Sequence, residues 1–218
     1  MDIPNHSSAT LVVRNLGTVA YLDAFNQMKA FTDARTDVTP DEFWLLEHPA
    51  VFTLGQTGKR EHLLDPGDIE IVQSDRGGQV TYHGPGQIVG YLLWDLARQG
   101  MGVRDLVSGI ENAIINLLSD FDLRAQARRE APGVYVSNAK IAALGLRVRK
   151  GRCYHGLSLN VDMDLSPFER INPCGYEGLA VTSLRALGVD EDLSSLGSRL
   201  VKHVERQFSY HASWQARA

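Results

Sequence analysis

Cysteine is scarce in this sequence: Cys153 and Cys174 are the only two in 218 residues. Two thiols make no disulfide framework, so a reducing compartment is the expected setting. No run approaches 18 apolar residues, and no membrane-spanning helix is read. The opening MDIPNHSSATLVV lacks a basic stretch followed by an apolar one, so no secretory signal is read there. These absences point to the cytoplasm. Charge of one sign is also lacking. A net charge of −4 gives no general attraction to nucleic acid or an anionic membrane, and neither is expected as a partner. There is no internal repeat, no low-complexity tract and no linker rich in Pro, Gly or Ser to divide the chain. With 44% hydrophobic and 22% charged residues, the composition supports a sizeable core, and one domain over 1–218 is expected.

What is present reads as mixed α and β. Leu11 to Val13 reads as a short strand. A helix over about 19–36 places Tyr21, Ala24, Phe25, Met28 and Phe31 on one face. Residues 41–54 hold a strand interrupted near Pro49, and 69–73 another. A glycine-rich segment, 76–87, feeds an apolar strand over 88–95. Helical spacing returns over 103–121, with Leu106, Ile110, Ala113, Ile114, Leu117 and Phe121 on one face. After Pro132 the period changes to two. Strands are expected over 134–136, 140–148 and 153–161, with turns at Ser137-Asn138 and Lys150-Gly151. The chain is expected to end in a helix over about 193–209. Without strict β-α alternation, this predicts an α+β fold around a mostly antiparallel sheet.

Three segments hold candidate chemistry. Arg76 to Gly86 carries four glycines in RGGQVTYHGPG, which allow positive φ and expose backbone N–H donors to a ligand. Its spacing is neither that of a P-loop nor that of a dinucleotide site. On glycine content alone a tight double turn is the better explanation; Arg76 and His83 flanking the glycines favour a site. Cys174, in INPCGY, is fixed by Pro173 before it and loosened by Gly175 after it, which presents its thiol at a turn. Cys153 reads instead as a small buried side chain in strand phase with Leu157 and Leu159. Lys140 shares a strand face with Ala142, Leu144, Leu146 and Val148, so it either snorkels at the rim or is held inside for a purpose. Cys153-x-His155 with Cys174 or His83 resembles a zinc site only weakly, since no CxxC or HxxxH spacing accompanies it; no metal is expected.

These segments together resemble the lipoyl(octanoyl) transferase family, through RGGQVTYHGPGQ at 76–87, GVYV and KIAALGLRVRKG within 133–151, HGLSLNVDMDLSPF at 155–168 and INPCGY at 171–176. The likeness runs from about 11 to 208. It implies the fold shared with lipoate and biotin protein ligases: one α+β domain with a mixed, largely antiparallel sheet flanked by helices. It implies that Cys174 is the acyl-thioester nucleophile and that Lys140 is its partner, lowering the thiol pKa. By motif match the acyl pocket is lined by Arg76, Gly77, Gly78, Gln79, Val80, Thr81, Tyr82 and His83. Ala143, Leu144 and Gly145 complete it from one strand, and Gly156, Leu157 and Ser158 from the next. The implied donor is octanoyl-acyl carrier protein. The implied acceptors are lysines of the lipoyl domains of 2-oxoacid dehydrogenase complexes and of the glycine cleavage H protein, with no cofactor and no ATP. A monomer is expected.

This chemistry suits those residues. A thiolate attacks a thioester and a thiol does not; a lysine ammonium beside the sulfur favours the ionised form. The acceptor lysine must lose a proton, and Lys140 serves as base only if burial lowers its own pKa from about 10.4. A dry pocket holding Lys140 against Cys174, as a pair that titrates together, is therefore expected. Arg147, Arg149, Lys150 and Arg152, with Arg128 and Arg129, form a candidate docking patch for an acidic carrier protein, though a solvated turn would look the same. Three rival readings stand beside this one: an ATP-dependent ligase of the same fold, a cysteine hydrolase using His83 or His155, and a noncatalytic binding module.

Overall fold

The computed structural model describes residues 9–215; of the stretch read for a secretory signal, residues 1–8 lie outside it. Eight strands form the main sheet: β1 (Ala9–Thr18), β2 (Asp41–Glu47), β6 (Gln87–Leu93), β7 (Ala125–Ala127), β8 (Gly133–Val136), β9 (Ala139–Arg149), β10 (Arg152–Asn160) and β11 (Tyr210–Gln215). Their order is β11-β1-β2-β6-β10-β9-β8-β7. β1 runs parallel to both its neighbours, and every other pair is antiparallel. The α+β expectation holds.

Both faces of this sheet are covered, which is why β6 reads as an unbroken apolar run rather than an alternation. Its pleat sends Ile88 and Leu92 to one side and Val89, Tyr91 and Leu93 to the other. The first side packs under α2 (Val103–Ser119) and α3 (Leu193–Phe208). α2 buries Leu106, Ile110, Ala113, Ile114 and Leu117 there, each large side chain contributing about 1.5–3 kcal/mol. α1 (Tyr21–Ala34) covers the other side with Ala24 and Met28.

Pro49 divides more than a strand. β2 stays in the main sheet, while β3 (Val51–Leu54) joins a second sheet of order β4-β3-β5 with β4 (Glu70–Gln73) and β5 (Val80–His83). This small sheet packs Phe52, Val80 and Tyr82 against Phe168 and Ile171. The turns at Ser137-Asn138 and Lys150-Gly151 have positive φ at all four residues (47°, 72°, 49° and 75°), the geometry that matches strand twist in a two-residue hairpin.

Four expectations need correction. β1 extends well beyond 11–13, because it is paired on both sides. β5 lies inside the glycine-rich segment, where four residues are too few to show a period. β7 is shorter still. The chain does not end its order in a helix: Ser209 adopts φ 55°, turns the backbone, and β11 follows to pair with β1.

Candidate active site

Cys174 stands in a short 3-10 turn, Pro173–Gly175, with φ 57° and ψ 15°. A left-handed cysteine is strained, and such strain persists only where its surroundings hold it. They do so from two sides. His62 O accepts from Asn172 N at 2.9 Å, and Leu63 bridges Ile171 just before the turn. On the other side Lys140 N donates to Ala180 O at 2.8 Å, and Thr182 N donates to Lys140 O at 3.0 Å, adding the segment after the turn to the edge of β9.

Lys140, at the start of β9, is buried and directs Nζ at the sulfur. Nζ lies 3.0 Å from Cys174 Sγ and 3.2 Å from Pro132 O, with the Tyr135 ring centroid at 5.2 Å. Gly133 makes room for it, since a Cβ there would come within 3.2 Å of Nζ and 2.6 Å of Ala142 O. Burial pushes the Lys140 ammonium down, but the charge and hydrogen bond of Cys174 outweigh it, and the net direction is up. The downward direction expected of a base in a dry pocket is thus reversed while the sulfur is anionic.

With Lys140 buried behind its sulfur, Cys174 lines a cavity of about 240 Å³ between the two sheets. From the glycine-rich segment, Arg76, Gly78, Gln79, Val80, Thr81 and His83 line it. Ala143, Leu144 and Gly145 of β9 and Gly156, Leu157 and Ser158 of β10 complete the wall, with Ala143 opposite Ser158 and Gly145 opposite Gly156 in register. Gly77 and Tyr82 do not line it. Gly77 N is spent on Leu146 O at 2.9 Å, and the Tyr82 ring packs 5.5 Å from both Phe52 and Phe168 in the core of the small sheet.

A polar layer lies at and behind one wall of the cavity; the sequence pointed to His83 there but not to Tyr21, His48 or Tyr91. Tyr21 OH donates to Ser74 Oγ at 2.7 Å, His48 Nε2 meets Tyr91 OH at 2.6 Å, and His83 Nδ1 meets Gln87 Oε1 at 2.7 Å. Burial pushes His48 down to about 4 and His83 down to about 3. His155 lies within β10 with φ 62° and binds Asp75 Oδ1 at 2.9 Å. These residues are scattered over five segments, so no local spacing betrays them. The strap Glu130–Pro132 and Tyr176 at the rim were missed as well, although Tyr176 lies within the motif that marks Cys174. Neither histidine named for a hydrolase bonds to Cys174, because His83 and His155 are engaged with Gln87 and Asp75.

The basic hairpin is less free than its sequence implies. Arg149 lies 3.6 Å from Asp33, and Arg152 donates to Arg35 O at 2.9 Å while standing 3.9 Å from Asp37 and Asp95.

A family model of the lipoyl protein ligase A/B catalytic domain matches residues 20–205. The chain belongs to this family. Two relatives, the octanoyltransferases of Stutzerimonas stutzeri (strain A1501) and Azotobacter vinelandii, are each 60% identical to it. The first match covers 91% of this chain and 90% of the relative, the second 93% and 94%. Among solved structures, the bipartite lipoate protein ligase from Thermoplasma acidophilum, analysed with its E2 lipoyl domain, superposes with a TM-score of 0.78. At 15% identity, over 98% of this chain and 88% of that one, it shows the shared lipoyl protein ligase fold.

Proposed function

We propose that this chain is an octanoyltransferase working through a covalent thioester on Cys174. The observation that carries the reading is Lys140 Nζ at 3.0 Å from Cys174 Sγ, with Cys174 lining the cavity between the two sheets. In the first step the thiolate attacks the carbonyl of octanoyl-acyl carrier protein. The new C–S bond forms, the carrier's C–S bond breaks, and the carrier sulfur leaves with a proton from Lys140. Acylation removes the negative charge that held Lys140 up, leaving burial to push it down. Lys140 is then neutral and can act as a base. In the second step the amine of an acceptor lysine attacks the enzyme thioester. The amide C–N bond forms, Cys174 leaves as thiolate, one proton returns to Lys140 and a second goes to solvent. Thioester exchange is nearly balanced and amide formation runs downhill, so no ATP enters.

The acceptors are lysines of lipoyl domains, in 2-oxoacid dehydrogenase complexes and in the glycine cleavage H protein. A single chain supplies cavity and dyad, which supports a monomeric enzyme. Two unpaired cysteines fit the reducing cytoplasm, and no described helix is long and apolar enough to cross a membrane.

The test is an intact mass after incubation with octanoyl-acyl carrier protein without ATP. A hydroxylamine-labile octanoyl adduct is expected on the wild type and on Cys153→Ser, not on Cys174→Ser, and it should form at least 100-fold more slowly on Lys140→Ala. Product that forms only with ATP would replace this reading with a ligase.

A further inference from the structure

Residues 130–132 cross the rim of the cavity as a strap, held by three consecutive carbonyls. Glu130 O accepts from Tyr176 OH at 3.1 Å, Ala131 O from Tyr135 OH at 2.8 Å, and Pro132 O from Lys140 Nζ at 3.2 Å. On its inner side the strap lines the acyl cavity. On its outer side Glu130, Ala131 and Tyr176 also line a second groove of about 510 Å³, together with Tyr135, Asn138 and Glu177.

The wall of this outer groove backs onto Lys140. Tyr135 belongs to its wall, and Lys140 Nζ lies over the Tyr135 ring, 5.2 Å from its centroid. Ala180, another wall residue, accepts the backbone N–H of Lys140. Between the two openings stands Tyr176, 46% exposed and tied to the strap by a single hydrogen bond. Arg128, the one cation in the groove wall, is already engaged: it stacks 4.2 Å from the Tyr135 centroid and donates to Asn138 Oδ1 at 2.5 Å.

The thioester chemistry proposed above needs two approaches to one sulfur. Once the acyl chain fills the cavity, the second nucleophile must reach the thioester from the rim, where Glu130, Ala131 and Tyr176 line both the cavity and the outer groove. That nucleophile is an ammonium on an alkyl arm. An exposed tyrosine ring and two carboxylate residues, Glu130 and Glu177, suit such a cation, and Lys140 lies against the Tyr135 ring of the wall to take its proton. We propose that the outer groove is the entry path of the acceptor lysine, and that Tyr176 is the partition between acyl chain and amine. In this geometry the amine nitrogen attacks from the Tyr135 side as the C–S bond breaks, with one proton passing to Lys140 and one to solvent.

The test separates the two half-reactions. Wild type, Glu177→Trp, which fills the groove from an exposed position, and Glu177→Arg, which reverses its charge, are each loaded from octanoyl-acyl carrier protein. They are then mixed with a lipoyl domain, with N-acetyl-lysine amide, or with hydroxylamine. Loading within twofold of wild type is expected, with at least tenfold slower transfer to both lysine acceptors and unchanged discharge by hydroxylamine. Unchanged transfer in both variants overturns the assignment. So does a fall in loading that matches the fall in transfer, or a loss confined to the lipoyl domain, which would make Glu177 a docking contact only. If wild type never takes up the acyl group, the thioester reading itself fails, and that outcome is visible before any acceptor is added.

Discussion

The buried Arg76 guanidinium donates to Thr53 on β3, at 2.6 Å to its carbonyl from Nη2 and at 2.9 and 3.1 Å to its hydroxyl from Nη2 and Nε. It also donates to Gln79 O at 2.7 Å and Gly77 O at 2.9 Å. All but one N–H, on Nη1, are therefore engaged by the loop and the small sheet. Although Arg76 lines the cavity, it acts as a brace that fixes the glycine-rich wall. Lysine keeps the charge but lacks the planar fork, so Arg76→Lys leaves several of these buried acceptors unsatisfied. A loss of about 2–5 kcal/mol is expected, read as a lower midpoint in thermal and urea melts. An unchanged midpoint with abolished acyl uptake would instead make Arg76 a direct contact of the acyl group.

The two thiols should react very differently. Cys153 is fully buried, donates to Leu92 O at 3.2 Å, and is pushed up to about 12 by burial. Cys174 is half-buried beside an ammonium. Iodoacetamide on the folded protein should give a single adduct, mapped to Cys174 by peptide mass, and prior loading with the octanoyl donor should prevent it. Labelling of Cys153 before unfolding would contradict this environment.

The sequence revealed the dyad better than the cavity, for a physical reason. Cys174 carries a local signature, a Pro-Cys-Gly turn, whereas Lys140, in phase with apolar residues of one strand, reads locally as a rim lysine and is singled out by its combination with Cys174 and by the family resemblance. The α1, α2 and α3 cores were legible because each helix shows one continuous apolar face. The polar rear wall left no such trace. Tyr21, His48 and Tyr91 come from α1, the end of β2 and β6, and they meet through the long-range pairing of β2 with β6 and the packing of α1 on that sheet. β11 was hidden for the same reason, since its parallel partner β1 lies at the other end of the chain. Within the basic hairpin, Arg149 and Arg152 stand near Asp33, Asp37 and Asp95, a proximity that sequence spacing does not show.

Val89 faces Ser158 in register across β6 and β10 and lines the cavity. Its two methyls narrow the acyl space without taking part in the chemistry. Val89→Ala should cost stability by about 1–2.5 kcal/mol and shift loading from octanoyl towards decanoyl carrier protein. Competition between six-, eight- and ten-carbon donors, scored by intact mass of the acyl-enzyme, measures the shift. The same ranking as wild type would mean that chain length is set elsewhere along the wall.

His48 and His83 make stability depend on pH in a defined direction. Burial depresses both, to about 4 and about 3, whereas in the unfolded chain each titrates near 6.5. Below pH 6.5 the unfolded chain binds protons that the folded chain refuses. The stability that neutral imidazoles give is thus complete above pH 6.5 and is lost as pH falls towards the folded values. At pH 5 the loss is roughly 2 kcal/mol for each histidine, at about 1.4 kcal/mol per pH unit. The groups facing them favour the neutral forms: Tyr21 and Tyr91 are uncharged, and Arg76 and His155 oppose added positive charge. Urea melts at pH 7.5, 6.5, 5.5 and 5.0 should show this steepening loss. In His48→Gln, stability at pH 7.5 should be lower but the slope below pH 6.5 shallower, because one of the two refused protons is gone. An identical slope in that variant would show that His48 is already protonated in the fold, and with it that the rear of the cavity is wetter than its packing implies.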